Sequence, residues 1–243
     1  MKIKIKGVIV SNDDKWIYDW FEMEAVSPRD IETQLEAAAG EEVEIEINSP
    51  GGDVFAGSDI YTMLKQYPGN VVVKIVGIAA SAASVIAMAG NKVLISPTAQ
   101  IMIHNVWSVA MGDYRTMDHE ADILKGWNKS IANAYMLKTG MAQSELLSLM
   151  NKETWITAQD AVKNKFADEV MFDEDLKLAA GIRGAPLPPE VINKIRNLIK
   201  QNPEGPRPPE QAAFLLHETG VIRQAPVEIY QAQILINRRK AHV

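Results

Sequence analysis

Residues 71–90 read VVVKIVGIAASAASVIAMAG, twenty positions with a single charge at Lys74. That length approaches the roughly 20 residues a membrane-spanning helix needs. Its character changes midway, however. VVVKIVG is mostly β-branched, whereas AASAASVIAMAG consists largely of small helix formers. A buried strand running directly into a buried helix accounts for both halves, and a single span does not. The junction falls at Ser81.

Outward from this stretch, strand-like and helix-like segments alternate up to residue 172. The opening KIKIKGVIV alternates Lys with Ile, as a half-exposed strand does, and contains no continuous apolar run of a secretory signal. EVEIEINS (42–49) alternates acidic and aliphatic residues, a strand with one wet face. SPGG breaks it, and DVFAGSDIYTMLKQY follows with helical spacing at Val54, Ile60, Met63 and Leu64. KVLISPTAQIMIHN predicts two short extended pieces parted at Pro97. A long helix is expected over Tyr114–Lys138, stopping near Gly140, and AQSELLSLMN predicts a short helix with Ser144 as its cap. TAQDAVKNKFADEV predicts a helix and then a short strand. Strands separated by helices at this density give an α/β fold with crossover connections.

Beyond residue 172 the composition shifts. GIRGAPLPPE and NPEGPRPPE hold seven of the chain's 12 prolines and bracket possible short helices over 190–201 and 211–217. The expected organisation is a folded domain over 1–172 and a Pro-rich linker and C-terminal arm over 173–243. The whole chain carries 31 acidic against 25 basic residues, a net charge of −6, which is not the footprint of a nucleic-acid-binding protein. It has no cysteine, which removes thiol nucleophiles, disulfides and cysteine metal sites and suits a reducing compartment. No GxxxxGK[ST] nucleotide-binding motif is present.

Three features could carry chemistry. INSPGGDV puts two glycines directly after a strand, either as a plain strand-to-helix turn or so that a backbone N–H can approach a ligand closely. Ser81 stands beside a helix N-terminus, where free N–H groups favour negative charge. It caps that helix or presents a nucleophile, and two such N–H groups aimed at an oxyanion lower a barrier by ~3–4 kcal/mol. Ser84, one turn on, reads as packed against its own helix. IMIHN sets His104 at the end of an apolar extended run. A strand-end histidine is structural, or it is the base that a serine needs at neutral pH.

The order of these motifs resembles the ClpP-type serine peptidases, and more closely their phage-encoded relatives used in head maturation. The resemblance covers about residues 1–172 and rests on INSPGG, VGIAASAAS, MIHN, the long helix after it, and TWITAQDAV…ADEV. It implies a ClpP/crotonase-like fold of stacked βαβ units with a protruding handle helix. It implies Ser81 as nucleophile, His104 as general base and Glu153, in NKETWIT, at the position of the family's third member. The family has Asp there, and Asp160 and Asp168 lie nearby in sequence. Backbone N–H groups of Gly52 and Ala82 would form the oxyanion hole, and an extended substrate would pair along Gly51, Asp53, Val54 and Phe55.

Neither metal nor cofactor is implied. The implied partners are a peptide or protein substrate, in the phage relatives capsid or scaffold proteins, and further copies of the chain in a ring. Trp127, Ile131, Tyr135 and Met136 either join such rings or cover this subunit's own sheet. Typical members carry an axial segment and a helix before the first core strand. Here the sequence opens in that strand, so docking to an unfoldase ATPase is not expected and ATP-independent cleavage is. Neither nucleic acid nor membrane is an expected partner, and the expected location is the bacterial cytoplasm or an assembling phage head. Two other readings share the fold: a catalytically silent scaffold subunit, and a crotonase-type acyl-CoA enzyme, which would not need a Ser/His pair.

Overall fold

Alternation in the first strands decides the core. β1 (Lys2–Ile9), β3 (Val43–Gly52) and β4 (Val71–Ala80) bury Ile3, Ile5, Val43, Ile45, Ile47, Val71, Val73 and Ile75 completely, on one face of the sheet. Each such side chain contributes about 1.5–3 kcal/mol on leaving water. The other face carries charges that pair across the strands, Lys2 and Lys6 with Glu46 and Lys74 with Glu44. These features come from a computed structural model that describes residues 1–172.

Around these strands lie β2 (Ala25–Val26), β5 (Lys92–Ile95), β6 (Gln100–Ile103), β7 (Thr154–Thr157) and β8 (Glu169–Val170). They form one eight-stranded sheet in the order β2-β1-β3-β4-β5-β8, parallel throughout that path. The long β4 serves two neighbours. Its first half pairs with β5 and its last residues, Ile78–Ala80, pair with β6, to which β7 adds antiparallel. This fork lets β6 end beside the end of β4. The mixed α/β architecture with a parallel sheet agrees with the expected fold class.

The helices are α1 (Lys15–Trp20), α2 (Pro28–Ala38), α3 (Val54–Gln66), α4 (Ala82–Ala87), α5 (Tyr114–Thr139), α6 (Gln143–Asn151) and α7 (Ala158–Lys163). α2 begins in a capping box between Ser27 and Asp30 with Pro28 in the first turn, and it buries Ile31, Leu35 and Ala38. Asp53 caps α3 by accepting from Ala56 N–H at 2.7 Å. Asp113 caps α5, and Gly140 at φ 74° ends it.

Several expectations change. β3 does not stop at Ser49: its SPGG end stays extended and pairs with β1, because the glycines let the strand run close to its neighbour through a register shift. Ser144 is not the cap of α6, since Ala142 occupies that position without a side-chain bond. α1, β2 and α2 fill residues 11–41, to which the sequence reading assigns no element. The Pro-rich arm over 173–243, with its short helices and the basic end INRRKAHV, lies outside the described residues. Among the described residues no helix is long and apolar enough to cross a membrane.

Candidate active site

Three strand registers bring distant residues to one point. In β4 and β6, Ala80 pairs with Met102, so Ser81, one residue past this pair, and His104, two residues past it, leave their strands side by side. Ser81 N–H donates to Met102 C=O at 3.0 Å, and a hydrogen bond of 2.7 Å joins Ser81 Oγ and His104 Nε2. In β3 and β4, Ser49 pairs with Ala79, which carries the glycine pair alongside Ser81. In β6 and β7, Ile103 pairs with Thr154, so continuing the register sets Glu153 across from His104.

Ser81 adopts φ 53°, ψ −126°. For a residue with a Cβ this costs on the order of 1–3 kcal/mol, and such strain persists only where surrounding bonds hold it. The turn projects the hydroxyl away from the packed alanines and toward His104. Gly51, at φ 96°, explains why nothing crowds it: a Cβ there would stand 2.7 Å from Ser81 Cβ and 3.0 Å from Ala82 N. Gly52 is equally constrained, because a Cβ would meet Ile9 C=O at 2.0 Å. The Gly51 backbone therefore passes close to Ser81 and Ala82, while its own N–H donates to Ser49 Oγ at 3.1 Å and Gly52 lies against β1.

An open cleft of about 580 Å³ runs from this point. The Pro50–Phe55 segment forms one side, and Val85, Met102, Trp127 and Ile131 supply apolar wall. Phe55 packs edge-on against Trp127 with ring centroids 5.0 Å apart. Asp53 is fully engaged within the chain: its carboxylate caps α3, its N–H donates to Ile9 C=O at 2.8 Å and its C=O accepts from Gly57 N–H at 3.0 Å.

Trp127, Ile131 and Tyr135 thus line this subunit's own cleft, and Ile131 and Met136 pack against its core. α5 also presents Tyr114, Met117 and Leu137 to solvent. Tyr135 is buried, and burial pushes its phenol far above the usual value. Its hydroxyl meets Ser84 Oγ at 2.8 Å, and Ser84 in turn donates to Ser81 C=O at 2.6 Å. Nothing in the local sequence points to this contact between residues 51 positions apart.

Glu153 differs from the other two triad candidates. It is exposed, sits at φ 49°, and its carboxylate accepts from the Trp155 indole N–H at 3.4 Å, with no hydrogen bond to His104. Asn105 Nδ2 donates to Asn151 Oδ1 at 2.8 Å, tying the residue after His104 to the turn before Glu153. The other nearby carboxylates are engaged elsewhere. Asp160 accepts from Thr157 Oγ1 at the start of α7, and Asp168 accepts from Val93 N–H and Lys138 Nζ.

A hydroxyl bonded to an imidazole, at a strand-to-helix junction on the carboxyl end of a parallel sheet, defines a class of α/β proteins built around a Ser–His pair. Within it, the Clp protease family model matches residues 31–174, and the chain belongs to that family. An ATP-dependent Clp protease proteolytic subunit of Bacteroides fragilis is 31% identical over 134 residues, 54% of this chain and 65% of the relative. The proteolytic subunit 1 of Chlamydia abortus is 30% identical over 138 residues, 55% of this chain and 71% of the relative. The subunit of Deinococcus radiodurans is 29% identical over 133 residues, 54% and 65%. The match to the first and third of these covers just under two thirds of the relative's length.

Proposed function

We propose that the chain is a serine endopeptidase working through an acyl-enzyme. The observation that carries this reading is the 2.7 Å bond between Ser81 Oγ and His104 Nε2 beside a cleft edged by an extended glycine-rich segment. Ser81 Oγ attacks the scissile carbonyl carbon while its proton passes to His104 Nε2. The resulting oxyanion is held by the backbone N–H groups of Gly52 and Ala82. Collapse breaks the C–N bond, and His104 returns its proton to the leaving amine. Water then attacks the ester by the same route and frees Ser81. Glu153 would orient the imidazole and stabilise its charged form once its carboxylate swings from the Trp155 indole to His104 Nδ1. Substrate lies extended along Gly51, Asp53, Val54 and Phe55.

In its narrower form, the reading is that peptide bonds of phage capsid or scaffold proteins are cut during head maturation, without ATP, by a ring of copies of this chain in the bacterial cytoplasm or the assembling head. The motif resemblance to phage-encoded relatives supports that form, and α5 would be the handle between rings. Residues 1–172 would be the peptidase domain and 173–243 an appended arm. One observation favours a second reading, a catalytically silent scaffold subunit: the Glu153 carboxylate faces Trp155 and solvent.

A fluorophosphonate probe separates the two. Labelling that maps to Ser81 and vanishes in Ser81→Ala and His104→Ala supports the peptidase, and an assembled but unlabelled protein supports the scaffold. Co-expression with candidate capsid proteins, active chain against Ser81→Ala and without added nucleotide, tests the narrower form through the appearance of defined fragments.

A further inference from the structure

The peptide unit joining Ser81 to Ala82 is planar, so its carbonyl and its N–H point in opposite directions and turn as one piece. Whatever fixes the Ser81 carbonyl therefore aims the Ala82 N–H. Three donors converge on that carbonyl: Ser84 N–H at 2.9 Å, Val85 N–H at 3.4 Å and Ser84 Oγ at 2.6 Å. A carbonyl can only accept, so the single Ser84 hydroxyl proton is committed to it. The 2.8 Å contact between Ser84 Oγ and the Tyr135 hydroxyl is then donated by tyrosine. Ser84 is 0% and Tyr135 1% exposed, so no water competes for either group. The result is a one-way relay from α5, through the first turn of α4, to the strained backbone of Ser81.

We propose that Ser84 and Tyr135 are positioning residues that lock the Ser81–Ala82 peptide plane and so aim the Ala82 N–H at the developing oxyanion. The proposal rests on the peptidase reading of Ser81. Donation to the carbonyl also polarises the N–H on the other side of the same amide, making it a better donor. Ser84 packs on its helix, as the sequence suggests, but its hydroxyl acts on the turn before it.

The test uses the full chain, a fluorogenic peptide and fluorophosphonate labelling, with Ser84→Ala, Ser84→Thr, Tyr135→Phe and the double variant Ser84→Ala/Tyr135→Phe. The double variant removes both hydroxyls together and leaves no buried phenol unpaired, so its fold is preserved. Losing an oxyanion donor outright costs about 10²–10³ in kcat, and losing its positioner is expected to cost about 5–50-fold. In Ser84→Ala and the double variant that loss falls on kcat, with KM changed less than about twofold. The pH midpoint of kcat/KM stays in place because the Ser81–His104 bond is untouched. Ser84→Thr restores most of the rate, and Tyr135→Phe loses about 2–5-fold. A double variant that melts like wild type and keeps its kcat overturns the proposal, as does a loss confined to KM or a displaced pH midpoint. A labelled wild type beside an unaffected double variant sinks the proposal alone. A wild type that neither cleaves nor labels at Ser81 sinks the peptidase reading and the proposal with it.

Discussion

Glu153 stands one residue beyond the last pair of the β6–β7 ladder, across from His104, yet its carboxylate points to the Trp155 indole. A carboxylate in water is screened, so its hold on the imidazole is weaker than that of a buried acid. Glu153→Gln is therefore expected to lower kcat/KM by about 10–100-fold, less than the ~10⁴ measured where a buried orienting Asp becomes Asn. The acylation rate with a fluorophosphonate checks this, and an unchanged rate removes Glu153 from the relay. The residue's place was legible from the TWITAQDAV motif. Its side-chain direction was not, because the backbone at φ 49° and the neighbouring indole decide that only once β7 has paired.

The strands β1 and β3 carry the clearest signal in the chain, alternation with period two, and β4 follows from a β-branched run; both β3 and β4 extend past their predicted ends, to Gly52 and Ala80. The same alternation builds the ladder on the wet face. Hydrogen bonds from Lys2 and then Lys6 hold the Glu46 carboxyl down at about 2. A carboxyl whose folded value lies below its unfolded one adds stability that is complete above the unfolded value and lost as pH falls through the folded one. Stability is thus expected to decline from about pH 4.5 toward pH 2 for this group. Glu46→Gln removes that increment, which is about 1 kcal/mol or less for a pair this close to solvent. Thermal melts of both proteins from pH 7 to 2.5 check it: the difference in Tm should narrow with acid.

At the scale of the described molecule, the last structural pieces are small but anchored. Phe166 is fully buried with its ring 6.0 Å from that of Tyr135. Asp168 receives Val93 N–H and Lys138, and β8 extends β5. A chain ending after Phe172 is expected to keep cooperative unfolding and Ser81 labelling, since every candidate site residue precedes that point. One ending after Asn164 loses Phe166 from the core at about 3–5 kcal/mol and unbinds the edge of β5. Circular dichroism melts of the two truncations distinguish these outcomes. α2 was legible in principle, from Ser-Pro-Arg-Asp followed by Ile31, Leu35 and Ala38. α1 was not, because so short an apolar run, Trp16, Ile17, Tyr18 and Trp20 within six residues, does not separate helix from strand.

The sequence by itself determined the alternation of strand and helix, the wet and dry faces of the first strands, and the three motifs that hold the glycine pair, Ser81 and His104. Local chemistry suffices for these, since side-chain period, glycine and helix-forming composition act within a few residues. Only the tertiary structure decided that these motifs meet, through the fork of β4 between β5 and β6 and the registers that follow. It also decided that Tyr135, far along the chain, reaches Ser84. Contacts between distant residues depend on how strands pair and helices pack, and no local pattern encodes that.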